Sequence, residues 1–465
     1  MNRHWWLRAA VAAGVLPALV VTVAEGQSRA ADRRKWTDST TATSDDPLRV
    51  PVPPGSRVHG TIVLKGGRVF DGTGAATRPA TVVITDNRIA RVLPPGSSDW
   101  PADARVLDVT GRTVLPGLID MHTHLSYTEQ GLGPDQTASL SDATLRAVER
   151  LRFYLESGIT SVRDVASQGD ITFRLKDWVA QGRLVGPRVF PAGQIITGLG
   201  GHGDDVGGPA DKANAGYRRA SGPADWREAV REQFKRGAVL IKVASHFSPE
   251  EVGAAVEEAH ALGLRVTCDC ETFYIDWAVA AGVDMIEHPL PRTDEAIRAM
   301  ASRGVASIPT LIPYIYIFDL WGGYFGNTSR RFTFSKAANL EMLRKLKAAG
   351  ITLGVGTDLI IDWFRFLPAP YITELEQFVA AGFTPAEALM AATKTNAILL
   401  DMGDRLGTLE AGKLADVLVV KGEPDRQLRD LANVDLVIRD GELVVRDGLV
   451  VIPRHLPLEP KPVRP

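Results

Sequence analysis

Apolar runs that alternate with amphipathic helical stretches limit the fold of this chain more than any other feature. Over about 290 residues, runs of strand length are separated by segments with helical periodicity, such as 142–156, 248–262 and 336–349. Strands alternating with helices favour a parallel sheet. Eight runs could serve as strands, at 117–120, 159–163, 188–192, 239–243, 265–269, 285–288, 306–310 and 352–358. The pattern predicts an α/β fold, a (β/α)8 TIM barrel.

Two β-rich blocks flank the predicted barrel. Short β-prone runs broken by Gly, Asp and Asn turns fill the first block, and a second set lies near the other end. A sheet built from both chain ends would make one composite domain. We therefore divide this part of the chain into a first β part, the barrel, a second β part and a tail, at 56–115, 116–405, 406–454 and 455–465.

The first 31 residues have the pattern of a signal peptide. Arg3 and Arg8 precede an apolar run at 9–23, and small residues follow it. The run is about as long as a signal core and short for a membrane span. We expect removal of 1–31, no stable membrane span after processing, and a secreted or periplasmic protein; a retained N-terminal anchor is the alternative. The polar segment 32–55 predicts a flexible lead-in.

Charge and cysteine content exclude some classes of protein. The 53 basic residues nearly balance 55 acidic ones, and no long basic run occurs, so we expect no nucleic-acid partner. The two cysteines, Cys268 and Cys270, stand two residues apart in a predicted strand, which is a poor geometry for a mutual disulfide. At 45% hydrophobic residues, a chain this long can build its core without disulfides.

Polar side chains end most of the predicted barrel strands, and in a (β/α)8 barrel that end carries the active site. Imidazoles and carboxylates suit Zn²⁺ or a similar divalent ion, which makes a water nucleophilic near neutral pH. A carboxylate could accept the proton of that water. The lysine has two interpretations: a carbamate between two metals, or an ammonium that binds a substrate carboxylate. The set is His122, His124, Lys242, Asp269, His288 and Asp358.

Six stretches carry a recognisable combination of motifs, at 115–124, 158–164, 241–243, 282–288, 356–358 and 406–416. In this order they resemble the amidohydrolase superfamily, in particular its imidazolonepropionase-like and dipeptidase-like group. The resemblance covers roughly residues 58 to 450. It implies a (β/α)8 barrel with a β-sandwich made from both termini. It also implies a hydrolase of amide, or less often ester, bonds with one or two divalent metal ions such as Zn²⁺.

The resemblance also implies roles for individual residues. His122 and His124 match the ligands of the first strand, and His288 matches a ligand of the sixth. Lys242 matches a carboxylated lysine that bridges two metals. Asp358 matches the aspartate of the last strand, which serves as a metal ligand and as the acid–base catalyst.

One position departs from the family pattern. Relatives usually carry a histidine at the end of the fifth strand, where this chain has Asp269. A shift of one residue in the match would place Cys268 there instead. Aspartate can bind a hard divalent ion. We favour a two-metal site with Asp269 as an acidic ligand; the alternatives are a one-metal site and a barrel with altered chemistry.

Further residues are candidates for substrate binding. His202, in a Gly-Gly-His-Gly loop, could polarise a carbonyl or face water. Tyr314 is one of many aromatics in the two loops that follow the last two predicted strands, which line the pocket of a barrel. Arg365 could hold a carboxylate. The other members of these groups are Tyr316, Phe318, Trp321, Tyr324, Phe325, Phe332, Phe334, Trp363, Phe364, Phe366, Arg330 and Arg331.

The leading hypothesis is an exported metal-dependent amidohydrolase that uses metal-activated water, with Asp358 and His202 as catalytic residues. Its small-molecule substrate would be a dipeptide or N-acyl amino acid with an apolar or aromatic part. The alternatives are a cyclisation, dehydration or decarboxylation on the same barrel, and a non-catalytic binding protein. Relatives are often oligomeric, so a homo-oligomer is open.

Overall fold

Strands near the N-terminus build the first of the two β parts. The structure is a computed structural model that describes residues 56–127, 139–204, 215–322 and 335–451. The signal peptide, the lead-in and the tail predicted above lie outside these residues. The strands are β1 (Thr61–Lys65), β2 (Arg68–Val69), β3 (Arg78–Pro79), β4 (Thr81–Thr85), β5 (Arg88–Leu93), β6 (Arg105–Asp108) and β7 (Arg112–Pro116).

Parallel strands follow. They are β8 (Leu118–Thr123), β9 (Ile159–Asp164), β10 (Arg188–Pro191), β11 (Ile195–Thr197), β12 (Tyr217–Arg219), β13 (Leu240–Ala244), β14 (Arg265–Asp269), β15 (Met285–Glu287) and β16 (Ala306–Ile308). One sheet has the order β10-β9-β8 and the other the order β12-β11-β13-β14-β15-β16. The first seven predicted barrel strands therefore correspond to observed strands.

Helices separate most of these strands and continue after them. They are α1 (Leu140–Glu156), α2 (Ile171–Ala180), α3 (Pro223–Arg236), α4 (Pro249–Ala261), α5 (Phe273–Ala281), α6 (Asp294–Arg303), α7 (Leu311–Trp321), α8 (Lys336–Ala348), α9 (Ala369–Ala380), α10 (Pro385–Met390) and α11 (Asn396–Leu399). Local sequence explains where many begin. Ser248 accepts a hydrogen bond from the Glu251 amide, which completes a capping box at the start of α4.

The eighth predicted strand, 352–358, differs from expectation. Among the described residues it makes one isolated bridge, from Leu353 to Ser307, and the next residue, Leu359, makes another to Thr123. The two parallel sheets therefore do not form one closed sheet by their strand ladders. Gly354 and Gly356 interrupt the run, and glycine weakens a regular strand. Strands β11 and β12 were not predicted, because three residues are too few to show a period.

Both ends of the described chain share one sheet, as predicted. The last strands are β17 (Val417–Lys421), β18 (Val434–Arg439), β19 (Glu442–Arg446) and β20 (Leu449–Val450). Strand β17 pairs antiparallel with β7, which gives the sheet order β20-β19-β18-β17-β7-β2-β3. The other sheet has the order β5-β4-β1-β6. Buried residues from both sheets, such as Leu64, Val82 and Val417, belong to one apolar cluster.

The prediction about the cysteines was wrong. Cys268 and Cys270 form a disulfide, with a Cα–Cα distance of 5.4 Å. Strand β14 ends at Asp269, so Cys270 lies beyond the regular strand, and this separation falls within the range that disulfides span. Both cysteines are fully buried.

None of the helices within the described parts of the chain is both long and apolar enough to cross a bilayer.

Candidate functional site

Two histidines and an aspartate converge at the end of β8. The Nε2 atoms of His122 and His124 lie 3.3 Å and 3.1 Å from Oδ1 of Asp358. One ligand atom from each residue lies within 4.8 Å of the others. The two imidazoles are buried and the carboxylate is 14% exposed. Three predicted site residues therefore form one compact, largely buried cluster.

The backbone around this cluster explains its geometry. His122 lies in β8 and His124 directly follows its last residue, so the two imidazoles keep the same-side placement of alternate strand residues, with ring centroids 5.2 Å apart. The Asp358 amide donates to the His122 carbonyl at 2.7 Å, which ties segment 352–358 to β8. Gly356 permits this approach, since a Cβ there would lie 2.8 Å from the His122 Cβ. Asp358 then turns into the left-handed region, at φ 51°.

A buried carboxylate orients His122 from behind. Oε2 of Glu287 lies 2.7 Å from Nδ1 of His122, and the Glu287 carboxylate also accepts hydrogen bonds from Arg163 and Thr267. All four side chains are fully buried. An imidazole that donates Nδ1–H to a carboxylate directs the lone pair of Nε2 at the site.

The other predicted ligands gather around Asp269, at the end of β14. Its Oδ2 atom lies 3.1 Å from Nζ of Lys242, 3.0 Å from Nε2 of His288 and 3.4 Å from Nε2 of His202. Lys242 also joins this group to the first cluster, with its Nζ 3.4 Å from Nε2 of His122. The structure thus brings all seven of the predicted metal and catalytic residues to one place.

The charge states within the site follow from burial and from neighbouring groups. Burial, together with the nearby Lys242 ammonium, holds the pKa of His122 well below its usual range. Burial also lowers the pKa of His124. Burial alone would raise the pKa of Asp358, but the hydrogen bond to His124 and the charge of His288 outweigh it and lower the pKa. Neutral imidazoles therefore face a carboxylate near neutral pH.

These residues fit a divalent metal ion. His122 and His124 present Nε2 atoms to the same side, while their Nδ1 atoms face Glu287 and, at 3.5 Å, the Ala166 carbonyl oxygen. Two imidazoles and a carboxylate are a ligand set that Zn²⁺ accepts. Asp269 remains a carboxylate, because His202, His288 and Lys242 outweigh the effect of its burial and hold its pKa well below the usual range.

The substrate-binding candidates lie in different elements and make different contacts. The ring of Tyr314, on α7, lies 6.0 Å from the ring of His288 and is buried. Arg365 stands in a 3-10 helix, Ile361–Phe366, and its guanidinium pairs with Asp362 at 3.6 Å. Tyr127, which the sequence did not suggest, stacks on His124 at 4.5 Å between ring centroids. Outside the described residues lie Tyr324, Phe325, Phe332, Phe334, Arg330, Arg331 and the Trp321 side chain.

Sequence reasoning missed the residues that support the site. Glu287 gave the clearest signal, because it is an acid inside an apolar strand and precedes a ligand candidate. Thr310, whose Oγ1 lies 2.7 Å from Nδ1 of His288, and Glu374, on α9, gave no sequence signal.

Comparison with known proteins agrees with this geometry. The model of the Amidohydrolase family matches residues 113–444. Ochratoxinase from Aspergillus niger is 28% identical over 405 residues, which cover 78% of this chain and 81% of that protein. Imidazolonepropionase from Geobacillus sp. (strain WCH70) is 26% identical over 390 residues, which cover 73% of this chain and 82% of that protein.

Solved structures give the same picture. The crystal structure of a prolidase complexed with N-methylphosphonate-L-proline is 29% identical, with a TM-score of 0.73, and the match covers 83% of this chain and all of that one. Such a likeness, with the parallel strands and helices described above, defines an α/β fold of the TIM-barrel type with an additional β domain.

Proposed function

The chain belongs to the amidohydrolase family and is a hydrolase of carbon–nitrogen bonds, and from this premise we propose that it cleaves the amide bond of a dipeptide or N-acyl amino acid. The observation that carries the proposal is the cluster of His122, His124 and Asp358, whose ligand atoms lie within 4.8 Å of one another. Ochratoxinase and a prolidase among the similar proteins support a substrate of this class. Tyr314 beside His288 supports an apolar or aromatic part.

The proposed cofactor is one or two divalent ions, Zn²⁺ in particular. His122, His124 and Asp358 would hold the first ion, and Asp269, His288 and a carboxylated Lys242 the second. A bound ion would polarise the substrate carbonyl and activate a water. The close contacts of Asp269 with Lys242 and His288 support its place among the ligands.

Asp358, His202 and Arg365 have separate roles in the proposed reaction. Asp358, a carboxylate whose pKa is lowered, takes a proton from the attacking water as its oxygen bonds to the carbonyl carbon. It then gives that proton to the amide nitrogen as the C–N bond breaks, which yields a carboxylic acid and an amine. His202, whose side chain is 24% exposed, donates a hydrogen bond to the substrate carbonyl oxygen. Arg365 would bind the substrate carboxylate.

Metal analysis and a substrate screen test the proposal together. Purified protein should contain Zn²⁺ or another divalent ion, and should hydrolyse members of a panel of dipeptides, N-acyl amino acids and lactones, with products identified by mass. His122→Ala should lose metal and activity, whereas His59→Ala, at an exposed position, should keep both. Products of a cyclisation, dehydration or decarboxylation, or a metal-free protein without any turnover, would refute the proposal.

The number of ions and the role of Asp269 need their own test. Native mass spectrometry of the holoenzyme should show two ions and the added mass of one CO₂ on Lys242. Asp269→His should lose metal and activity if the aspartate is an adapted ligand. A single ion with an unmodified Lys242, or a gain of metal and activity in Asp269→His, would contradict the assignment.

Barrel closure is a further part of the proposal. Segment 352–358 would complete the barrel, because Met121 donates to the Val355 carbonyl while Ser307 donates to the Thr352 carbonyl. An experimental structure in which this segment loses either contact would argue against closure.

Export and assembly are also proposed from the sequence. The mature N-terminus in the extracytoplasmic fraction should begin near residue 32, and a product that starts at Met1 in the cell fraction would refute export. Light scattering of the purified protein decides between a monomer and a homo-oligomer.

A further inference from the structure

Glu374, in the middle of α9, is a buried carboxyl that the proposed chemistry does not use. It is fully buried, and its oxygens accept hydrogen bonds from the amides of Leu311 and Ile312, at 2.8 Å and 3.1 Å to Oε2. Within the described parts of the chain no cation pairs with it. Burial raises its pKa to about 8. A carboxyl kept here at such a cost to stability calls for a reason beyond packing.

The helix that Glu374 contacts begins without the usual cap. Thr310 is the N-cap residue of α7, yet its side chain makes no capping hydrogen bond. Threonine normally satisfies the first amides of a helix with its own hydroxyl. Here the Thr310 hydroxyl lies 2.7 Å from Nδ1 of His288 instead. The orphan amides of Leu311 and Ile312 therefore need an acceptor from elsewhere, and Glu374 supplies it.

Several groups from the same region hold His288. Its carbonyl accepts a hydrogen bond from Arg292 at 2.6 Å, and its amide donates to the Ile308 carbonyl at 2.8 Å. Tyr314, one turn into α7, places its ring 6.0 Å from the imidazole. Two of the groups that hold the His288 ring, the Thr310 hydroxyl and Tyr314, thus depend on where α7 begins.

We propose that Glu374 is a positioning residue: it caps α7 in place of Thr310 and so leaves the Thr310 hydroxyl to orient His288. The role in catalysis rests on the proposed function, in which Nε2 of His288 is a ligand. With Nε2 so engaged, Nδ1–H donates to Thr310 Oγ1, which is the usual support of a ligating histidine. Glu374 acts on His288 indirectly, through the first turn of α7.

Substitutions of Glu374 and of Thr310 test this proposal. Glu374→Leu removes both acceptors, so hydrogen exchange at the Leu311 and Ile312 amides should rise, and the ¹⁵N signal of His288 in histidine-labelled protein should shift. Glu374→Gln keeps one oxygen that can accept from both amides and should preserve the His288 signal. Activity should fall in Glu374→Leu by about 10- to 100-fold in kcat with little change in KM.

The Thr310 variants separate the two roles. Thr310→Val should shift the His288 signal and lower kcat while exchange at the Leu311 and Ile312 amides stays as in the wild type. Thr310→Ser, which keeps the hydroxyl, should restore both. This pair decides the question if Glu374→Leu fails to fold.

A matched control removes a capping carboxylate from a different helix. Glu387 accepts from the Thr384 amide at the start of α10, and Glu387→Leu should leave the His288 signal and kcat unchanged. The proposal is overturned if Glu374→Leu behaves like this control, or if Thr310→Val raises exchange at the start of α7. A wild type without metal or turnover would instead refute the proposed function, since exchange and the ¹⁵N signal are read without substrate.

Discussion

Glu287→Gln tests whether the buried Glu287 carboxylate orients His122. The Glu287 carboxylate lies between Nδ1 of His122, at 2.7 Å, and the Arg163 guanidinium, and none of the three side chains is exposed. Glutamine has the same shape but no charge. The substitution therefore keeps the volume of the side chain, removes the anion that balances a buried cation, and replaces one of the two acceptor oxygens with an NH2 group.

The substitution should change two quantities, the free energy of unfolding and the affinity for Zn²⁺, and each is measured separately. Leaving the Arg163 charge buried without its partner should cost about 3–5 kcal/mol of unfolding free energy. Weakening the group that orients His122 should lower Zn²⁺ affinity by roughly 10- to 100-fold. The first effect is present without metal, and the second is not.

Urea unfolding of metal-free protein measures the first effect, and competition with a chelator for Zn²⁺ measures the second. Adding Arg163→Met removes the buried cation, so the double variant should recover part of the stability but none of the Zn²⁺ affinity. Glu295→Gln, at an exposed position on α6, is the matched control and should change neither. The reasoning fails if Glu287→Gln unfolds within about 1 kcal/mol of the wild type and binds Zn²⁺ equally well.

Three more predictions concern backbone contact, pH and the disulfide. Gly356→Ala places a Cβ 2.8 Å from that of His122 and should abolish metal binding, whereas Gly253→Ala, in an open position of α4, should bind normally. The pKa of Glu374, raised to about 8 from 4.5, makes its stabilising contribution complete below pH 4.5 and lost as the pH rises through 8. Urea unfolding should therefore show the wild type losing up to about 5 kcal/mol relative to Glu374→Gln across that range, and parallel pH profiles would refute this. Thiol titration of unreduced, denatured protein should find none of Cys268 and Cys270, and reduction should cost only about 1–2 kcal/mol, because the closed loop is so short.

Residues at strand ends were predictable, and the reason is geometric. Parallel strands of one barrel deliver their last side chains to a common rim, so His122, Lys242, Asp269 and His288 could be grouped without coordinates. The alternation of side chains in a strand likewise predicted that His124 lies beside His122. The alternation of side chains along a strand and the common direction of parallel strands were enough for this prediction, because both can be inferred from the sequence alone.

The supporting residues were not predictable, because their partners are distant in sequence. Glu287 lies 165 positions from His122, and Glu374 lies 63 positions from Leu311. No period links such pairs. The prediction about the cysteines failed for a different reason. The spacing of Cys268 and Cys270 fixes the distance between them only if the strand continues through both, and β14 ends between them.

Left-handed backbone at the strand ends connects the fold to the chemistry. His288, Thr310 and Asp358 have φ values of 65°, 43° and 51°, a region that costs roughly 1–3 kcal/mol for residues other than glycine. Glycine would remove this strain at each position, yet it would also remove an imidazole, a hydroxyl or a carboxylate that meets another in the site. The chain keeps the side chain and tolerates the strain at all three. His288 directly follows β15, Thr310 lies two residues after the end of β16, and Asp358 ends the segment 352–358. The turn that carries the strain is therefore also the turn that brings each side chain to the site.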